Sequence, residues 1–226
     1  MNKKEIETAF IKSIPIMCSY LFVGMAYGMM MQEAGFKWYY SLLASLTIYT
    51  GAFQFVLITF LSSGASIATI AVTAFLMNSR QTFYSLSFVD EFKKMGKRKW
   101  YMIATMTDET YAVNCALEEK GEKKRNIMFF VALFSKWYWM IAATVGGIVG
   151  QLIPFELEGI DFCMTALFVI IFIDQWEKTN NHFPALLGIV VAVVCLIVVG
   201  QTAFMLASLL IVSGILTFTG SEVKKQ

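Results

Sequence analysis

"DEFKKMGKRKWYMIATMTDETYAVNCALEEKGEKKR", residues 90–125, sets two basic runs around a moderately apolar segment. Basic residues flanking membrane segments collect on the cytoplasmic side. If both runs lie there, Trp100–Leu117 does not cross. Its interior also carries Thr105, Thr107, Asp108, Glu109, Thr110 and Asn114. Polar groups at membrane depth are tolerated where they are buried in protein or line a cavity. The segment is therefore expected to be a re-entrant hairpin or a helix packed at partial depth.

The chain around it reads as membrane protein. Of 226 residues, 58% are hydrophobic and only 15% charged, too few to cover a soluble domain of this length. The fold class expected is all-α: a polytopic integral membrane protein with about 7–8 hydrophobic segments, some re-entrant or broken. Residues 1–226 form one transmembrane domain. The first span is Ile14–Met31, retained and not a cleaved signal. Trp38–Leu61 and Ser66–Val89 follow. Asn126–Ile153 is too long to stand upright, so it tilts, begins at the interface or breaks near Lys136. Asp161–Trp176, Pro184–Gly200 and Gln201–Thr219 complete the set, with a break near Gly200. If the first three segments all cross and end inside, the N-terminus falls outside, against Lys3, Lys4 and Lys12. Making the second or third segment re-entrant removes that conflict. Gly24-x-x-x-Gly28 is echoed by Gly146-x-x-x-Gly150, marking residues 13–117 and 126–219 as candidate repeat halves.

Several function classes are excluded or weakened. The net charge is +2, and the basic runs do not alternate with aromatics as in a nucleic-acid groove, so no nucleic-acid partner is expected. The lipid bilayer is the partner that the composition requires. P-loop, H-E-x-x-H, G-x-S-x-G and dinucleotide signatures do not occur, and no enzyme activity or cofactor is expected. Cys18, Cys115, Cys163 and Cys195 form no C-x-x-C, and His182 stands alone in a loop, so no metal site is expected. Lys136, beside Trp137 and Trp139, reads as an interface anchor. Secondary transport, a channel and a non-transporting interaction or structural subunit remain open.

The chemistry-bearing residues are few. From Trp38 to Val89 the only charged residue is Arg80, in "AFLMNSRQTFYSLSF" (74–88). Snorkelling accounts for one arginine near the inner interface. Asn78, Ser79 and Gln81 beside it cover every side of a helix, and a polar cavity accounts for them better. Gln54, in "YTGAFQF" (49–55), also needs a partner in lipid. Asp108 and Glu109 are adjacent carboxylates that repel unless a cation joins them, and Arg80 is the natural candidate. Any proton coupling must use carboxylates, with Asp108 and Glu109 leading and Asp161 and Asp174 behind them.

These pieces, taken in order, resemble the AzlC family, the large subunit of bacterial branched-chain amino acid exporters. The matching stretches are "PIMCSYLFVGMAYG" (15–28), "YTGAFQF" (49–55), "MNSRQTFYSLSF" (77–88), "TDETYA" (107–112) and "GIDFCMTALFVIIF" (159–172). The resemblance covers roughly Ser13 to Trp176. It implies export of small apolar amino acids across the bacterial cytoplasmic membrane, driven by the proton gradient, with a second, much shorter AzlD-like membrane subunit. Gln54, Asn78, Arg80, Asp108 and Glu109 fall on matching positions. Ser19 and Tyr20 depart from the family pattern, which has a small glycine-containing turn there. On this basis the substrate carboxylate is expected at Arg80, assisted by Asn78 and Gln54. Its ammonium is expected at Asp108 or Glu109. Gly51 and Phe53 belong to the same site, with Phe55 and Phe83 as further apolar walls.

Overall fold

The computed structural model describes residues 3–152 and 181–200, with residues 169, 172, 173, 176, 177, 204, 207, 208, 210–212 and 214–216; the side chains of Arg80 and Phe83 are outside that description. Asp161 and Asp174 lie outside the described residues, as does most of Asp161–Trp176 and Gln201–Thr219. The chain divides into two units, residues 1–63 with 78–161 and residues 64–77 with 162–226. The described residues are helical or irregular, with no strand among them.

In the first unit, α1 (Lys3–Glu33) and α8 (Gly121–Leu152) are long enough and apolar enough to cross a membrane. At 1.5 Å per residue each is about 45 Å long. Both begin well before their apolar cores. α1 starts at Lys3, not near Ile14, and α8 at Gly121, so their charged first turns are helical too. α8 runs unbroken through Lys136, which removes the expected break there.

α1 buries one stripe: Ala9, Ser13, Ile16, Tyr20, Gly24, Tyr27, Gly28 and Met31. Steps of three and four residues place these on one helix face. The stripe lies on α8 in parallel register. Ser13 Oγ is 3.1 Å from Tyr138 Oη, and the Tyr20 and Trp139 rings are 5.2 Å apart. A Cβ on Gly24 would stand 2.7 Å from Ala142 Cβ, and one on Gly28 would collide with the backbone of Ala143, Gly146 and Gly147. A Cβ on Gly146 would come within 2.7 Å of Met25 Cα. The two glycine pairs that echo each other in sequence are thus the two faces of one contact. Small residues there let the helix backbones approach directly.

Two segments between these helices fold back on themselves. The second expected span divides into α2 (Trp38–Thr47) and α3 (Ala52–Ser63). α2 runs down α8, from Gly147 beside Trp38 to Lys136 beside the Tyr49 ring. At the turn, Tyr49 takes φ +26° and Gly51 φ +57°. Both lie in the left-handed region, which glycine enters freely and tyrosine only under strain. Tyr49 adjoins Tyr20, whereas Phe55 packs edge-on against Tyr27, two turns farther along α1. The chain therefore climbs back toward the end it came from. Segment two is thus a hairpin and not one continuous helix.

α4 (Ile67–Ser87) is followed by α5 (Val89–Lys93), α6 (Arg98–Ala104) and α7 (Asp108–Cys115). The basic run starts at the same end as α1 and α8. Arg98 donates to Asn126 at 3.1 Å, Asn126 donates to Glu5 at 3.2 Å, and Arg125 pairs with Glu91 at 3.3 Å. From that level α6 rises until Thr107 and Glu109 meet Tyr20, itself level with Trp139. Asn126 to Trp139 spans about 20 Å of helix. The chain then returns through α7 to Gly121, so Trp100–Leu117 folds back as a hairpin. Two hairpins enter from opposite ends and bring their turns to the same level of α1 and α8.

In the second unit, α9 (Phe183–Val199) has Pro184 in its first turn and ends at Gly200, φ +81°. Ile189, Val190, Val193, Ile197 and Val198 are exposed on it, and Cys195 is buried. A helix apolar on all sides belongs in lipid.

The hairpin makes a direct prediction. In a cysteine-free background, single cysteines at Lys4, Lys97 and Lys120 should react with a membrane-impermeant maleimide from one face, and one at Lys37 from the other. Labelling of positions 97 and 120 from opposite faces would refute the hairpin.

Candidate functional site

The turns meet around Tyr20. Its hydroxyl donates to Glu109 Oε2 at 2.8 Å and lies 3.0 Å from Thr107 Oγ1. Thr107 caps α7. Its Oγ1 accepts from the Thr110 amide at 3.4 Å, while its own amide donates to Thr110 Oγ1 at 2.8 Å. This reciprocal cap satisfies helix-end donors in a place without water. It also fixes where Asp108 and Glu109 begin the helix. Both carboxylates sit in the first turn, where the helix dipole favours negative charge.

Aromatic rings wall the same region. Tyr27 lies 5.4 Å from Phe55 and 6.0 Å from Trp139, and Tyr20 packs edge-on against Trp139. Within and around this wall, buried polar atoms lack hydrogen bonds: Tyr27 Oη, Tyr49 Oη, Thr50 Oγ1, both side-chain ends of Gln54 and Trp139 Nε1. The Tyr27 hydroxyl approaches the Gln54 amide without reaching hydrogen-bond geometry. An unmet buried donor or acceptor costs about 1–3 kcal/mol, and folded proteins rarely leave more than a few. These atoms span about two turns of α1, and Ser41, Ser45 and Asn114 carry further unmet atoms outside the wall.

The expected residues divide between two places. Gln54, fully buried, and Phe53, 3% exposed, stand just past the first turn, and Gly51 forms it. Space around the Gly51 Cα is open. Asp108 and Glu109 stand at the second turn, half-buried. Asn78 lies elsewhere, on a cavity of about 370 Å³ toward the basic end. Gln81, Thr82, Ser85, Leu86, Val89, Phe92, Lys93, Lys99 and Ile103 complete its lining; Gln54, Asp108 and Glu109 are not part of it. Asn78, Gln81, Thr82 and Ser85 follow helical spacing on one face of α4. Arg80 is described by its backbone alone. The stacked Tyr84 and Tyr111 rings, 4.6 Å apart, join α4 to α7. Position 80 is one turn before Tyr84, and Asp108 one turn before Tyr111.

Lys136, expected as an interface anchor, is the sixteenth of the 32 residues of α8, about 23 Å from either end. Tyr20, Tyr27, Tyr49 and Trp139 complete what sequence reading missed as site residues. Tyr20 had one signal, its departure from the family pattern. Cys18, Cys115 and Cys195 are unpaired, and no three His, Cys, Asp or Glu of the described residues gather as metal ligands.

Long apolar helices holding two opposed hairpins, with polar groups converging at their turns, define a helical membrane protein with a site in its interior. The AzlC protein family profile matches residues 15–153. The chain is 36% identical to the Bacillus subtilis "Branched-chain amino acid transport protein AzlC", over 100% of this chain and 91% of the relative. It is 39% identical to a Helicobacter pylori "Uncharacterized membrane protein", over 92% of each, and 29% identical to the Escherichia coli "Inner membrane protein YgaZ", over 75% of this chain and 72% of the relative. No solved structure matches. The chain belongs to the AzlC family.

Tyr20→Phe and Thr107→Val should each destabilise the protein in detergent by about 1–2 kcal/mol, read as a fall in thermal midpoint. Because the two hydroxyls share one contact, the double variant should lose less than the sum. Strict additivity would show that α1 and the hairpin turn are not linked through it.

Proposed function

We propose that this protein exports branched-chain and related apolar amino acids across the bacterial cytoplasmic membrane. It works as a proton-coupled secondary transporter, the large subunit of a pair completed by a short AzlD-like membrane protein. The observation that carries this reading is the set of unmet buried polar atoms, enclosed by aromatic rings, beside the Glu109 carboxylate. An apolar amino acid needs both parts. Its charged backbone groups require polar partners, and its side chain requires an apolar wall. The name of the Bacillus subtilis relative supplies the substrate class.

Each part has a role. Both basic runs and Lys3, Lys4 and Lys12 stand at one end of the α1–α8 pair, and the positive-inside rule makes that end cytoplasmic. The cavity lined by Asn78 and Gln81 then opens toward the cytoplasm and serves entry. Phe53, Phe55, Tyr27 and Trp139 receive the branched side chain. Gly51 leaves the turn open for close approach. Glu109 meets the ammonium, and the Gln54 amide assists. Asp108, level with Arg80 in the backbone register, shares proton transfer with Glu109. A proton arriving at Glu109 removes the charge that holds the ammonium, so proton entry and amino acid release are coupled.

Counterflow of radiolabelled leucine in proteoliposomes holding the chain with its small partner tests this. Transport should be stimulated by an imposed proton gradient. Glu109→Gln should lower it by about tenfold or more, the factor carried by one charged hydrogen bond. Gradient-independent flux of wild type, equal in Glu109→Gln, would contradict the proposal.

A further inference from the structure

A lysine is left over from this scheme. Lys136 leaves α8 at its midpoint, half-buried, within the first unit. Its Nζ lies 5.8 Å from the centre of the Tyr49 ring and 5.9 Å from that of Tyr101. Tyr49 belongs to the turn of the first hairpin, and Tyr101 to α6 of the second. The ammonium thus stands between the two hairpins. It makes no ion pair or hydrogen bond with any described residue. Aromatic faces attract a cation but offset only part of what it loses on leaving water. A half-buried ammonium with no carboxylate partner among the described residues can take an anion.

The neighbours are suited to that anion. Tyr49 Oη is buried and unpartnered, Thr50 Oγ1 likewise, and both come from the turn that Lys136 faces. Each hydroxyl is a neutral donor that a carboxylate accepts from. The strained φ of Tyr49 holds its ring at the lysine. On the other side of Tyr20 stands Glu109, with the aromatic wall between the hairpins. Lys136 from α8 reaches Tyr49, and Glu109 from α7 reaches Tyr20.

We propose that Lys136 is the anion-binding residue of the site. It holds the carboxylate of the amino acid, with Tyr49 and Thr50 as auxiliary donors, while Glu109 holds the ammonium. This rests on the amino acid reading above and assigns the carboxylate to Lys136 in place of Arg80. A zwitterion lying between Lys136 and Glu109 bridges the two hairpin turns, so its arrival ties together segments entering from opposite faces.

The test uses the full chain in detergent and three probes of one skeleton. These are leucine, 4-methylpentanoate, which lacks the amine, and 3-methylbutylamine, which lacks the carboxylate. Binding is read by tryptophan fluorescence and calorimetry. Lys136→Gln should weaken leucine and 4-methylpentanoate by about tenfold or more and leave 3-methylbutylamine unchanged. Lys136→Arg, which keeps the charge, should restore much of the loss and controls for folding, with Arg80→Gln compared in parallel. Wild-type binding of leucine that Lys136→Gln does not weaken overturns the assignment and leaves the amino acid reading standing. Wild-type binding of 4-methylpentanoate alone, lost in Lys136→Gln, upholds the anion site and overturns the amino acid reading. Binding of none of the three overturns both.

Discussion

The direct approach of α1 to α8 through Gly24, Gly28, Gly146 and Gly147 is the contact on which the rest of the first unit depends. Lipid offers no hydrophobic drive for helices to associate, so close packing must supply it. Glycine at these positions allows backbone to lie on backbone. The consequence is a fixed parallel register over most of both helices, from Glu5 beside Asn126 to Gln32 beside Gly150. Register matters because Tyr20, Tyr27, Lys136 and Trp139 project from these two helices. A slip of one turn would move each by about 5 Å and separate the hairpin turns from their supports.

On that mast the two hairpins solve one problem. A backbone that turns inside a membrane must satisfy its own ends. The second hairpin does so with the Thr107–Thr110 cap and with Tyr20 from α1. The first does so with a glycine and a strained tyrosine. In both, the turn brings polar groups in beside α1 and α8. Broken helices meeting at the membrane centre are how transporters place polar sites in an apolar layer. Glu109 and Lys136, opposite in charge and carried by different elements, are the chemical product of this arrangement.

Much of this was legible in the sequence, and the failures have physical causes. The basic runs around Trp100–Leu117 disclosed the hairpin because charge is costly to move across a bilayer. The glycine pairs disclosed close packing but not the partner. Spacing says that a helix face is small, never which face it meets. The charged turn Gly121–Arg125 is part of α8, and this earlier start puts Lys136 at mid-helix. Tyr20 was illegible as a support because its partners, Thr107 and Glu109, are long-range and met only in the fold. Gln54 and Glu109 stood out because amides and carboxylates in apolar runs demand explanation. Asn78 stood out equally, yet it serves the cavity and not the hairpin turns.

The parallel α1–α8 pair is tested most directly by pulsed electron paramagnetic resonance with spin labels in two pairs, at Lys4 with Lys123 and at Glu33 with Gln151. Helices packed in parallel, with axes about 8–10 Å apart, predict short distances for both pairs, extended only by the label linkers. Distances approaching the helix length, about 45 Å, for both pairs would contradict the register and the site built on it.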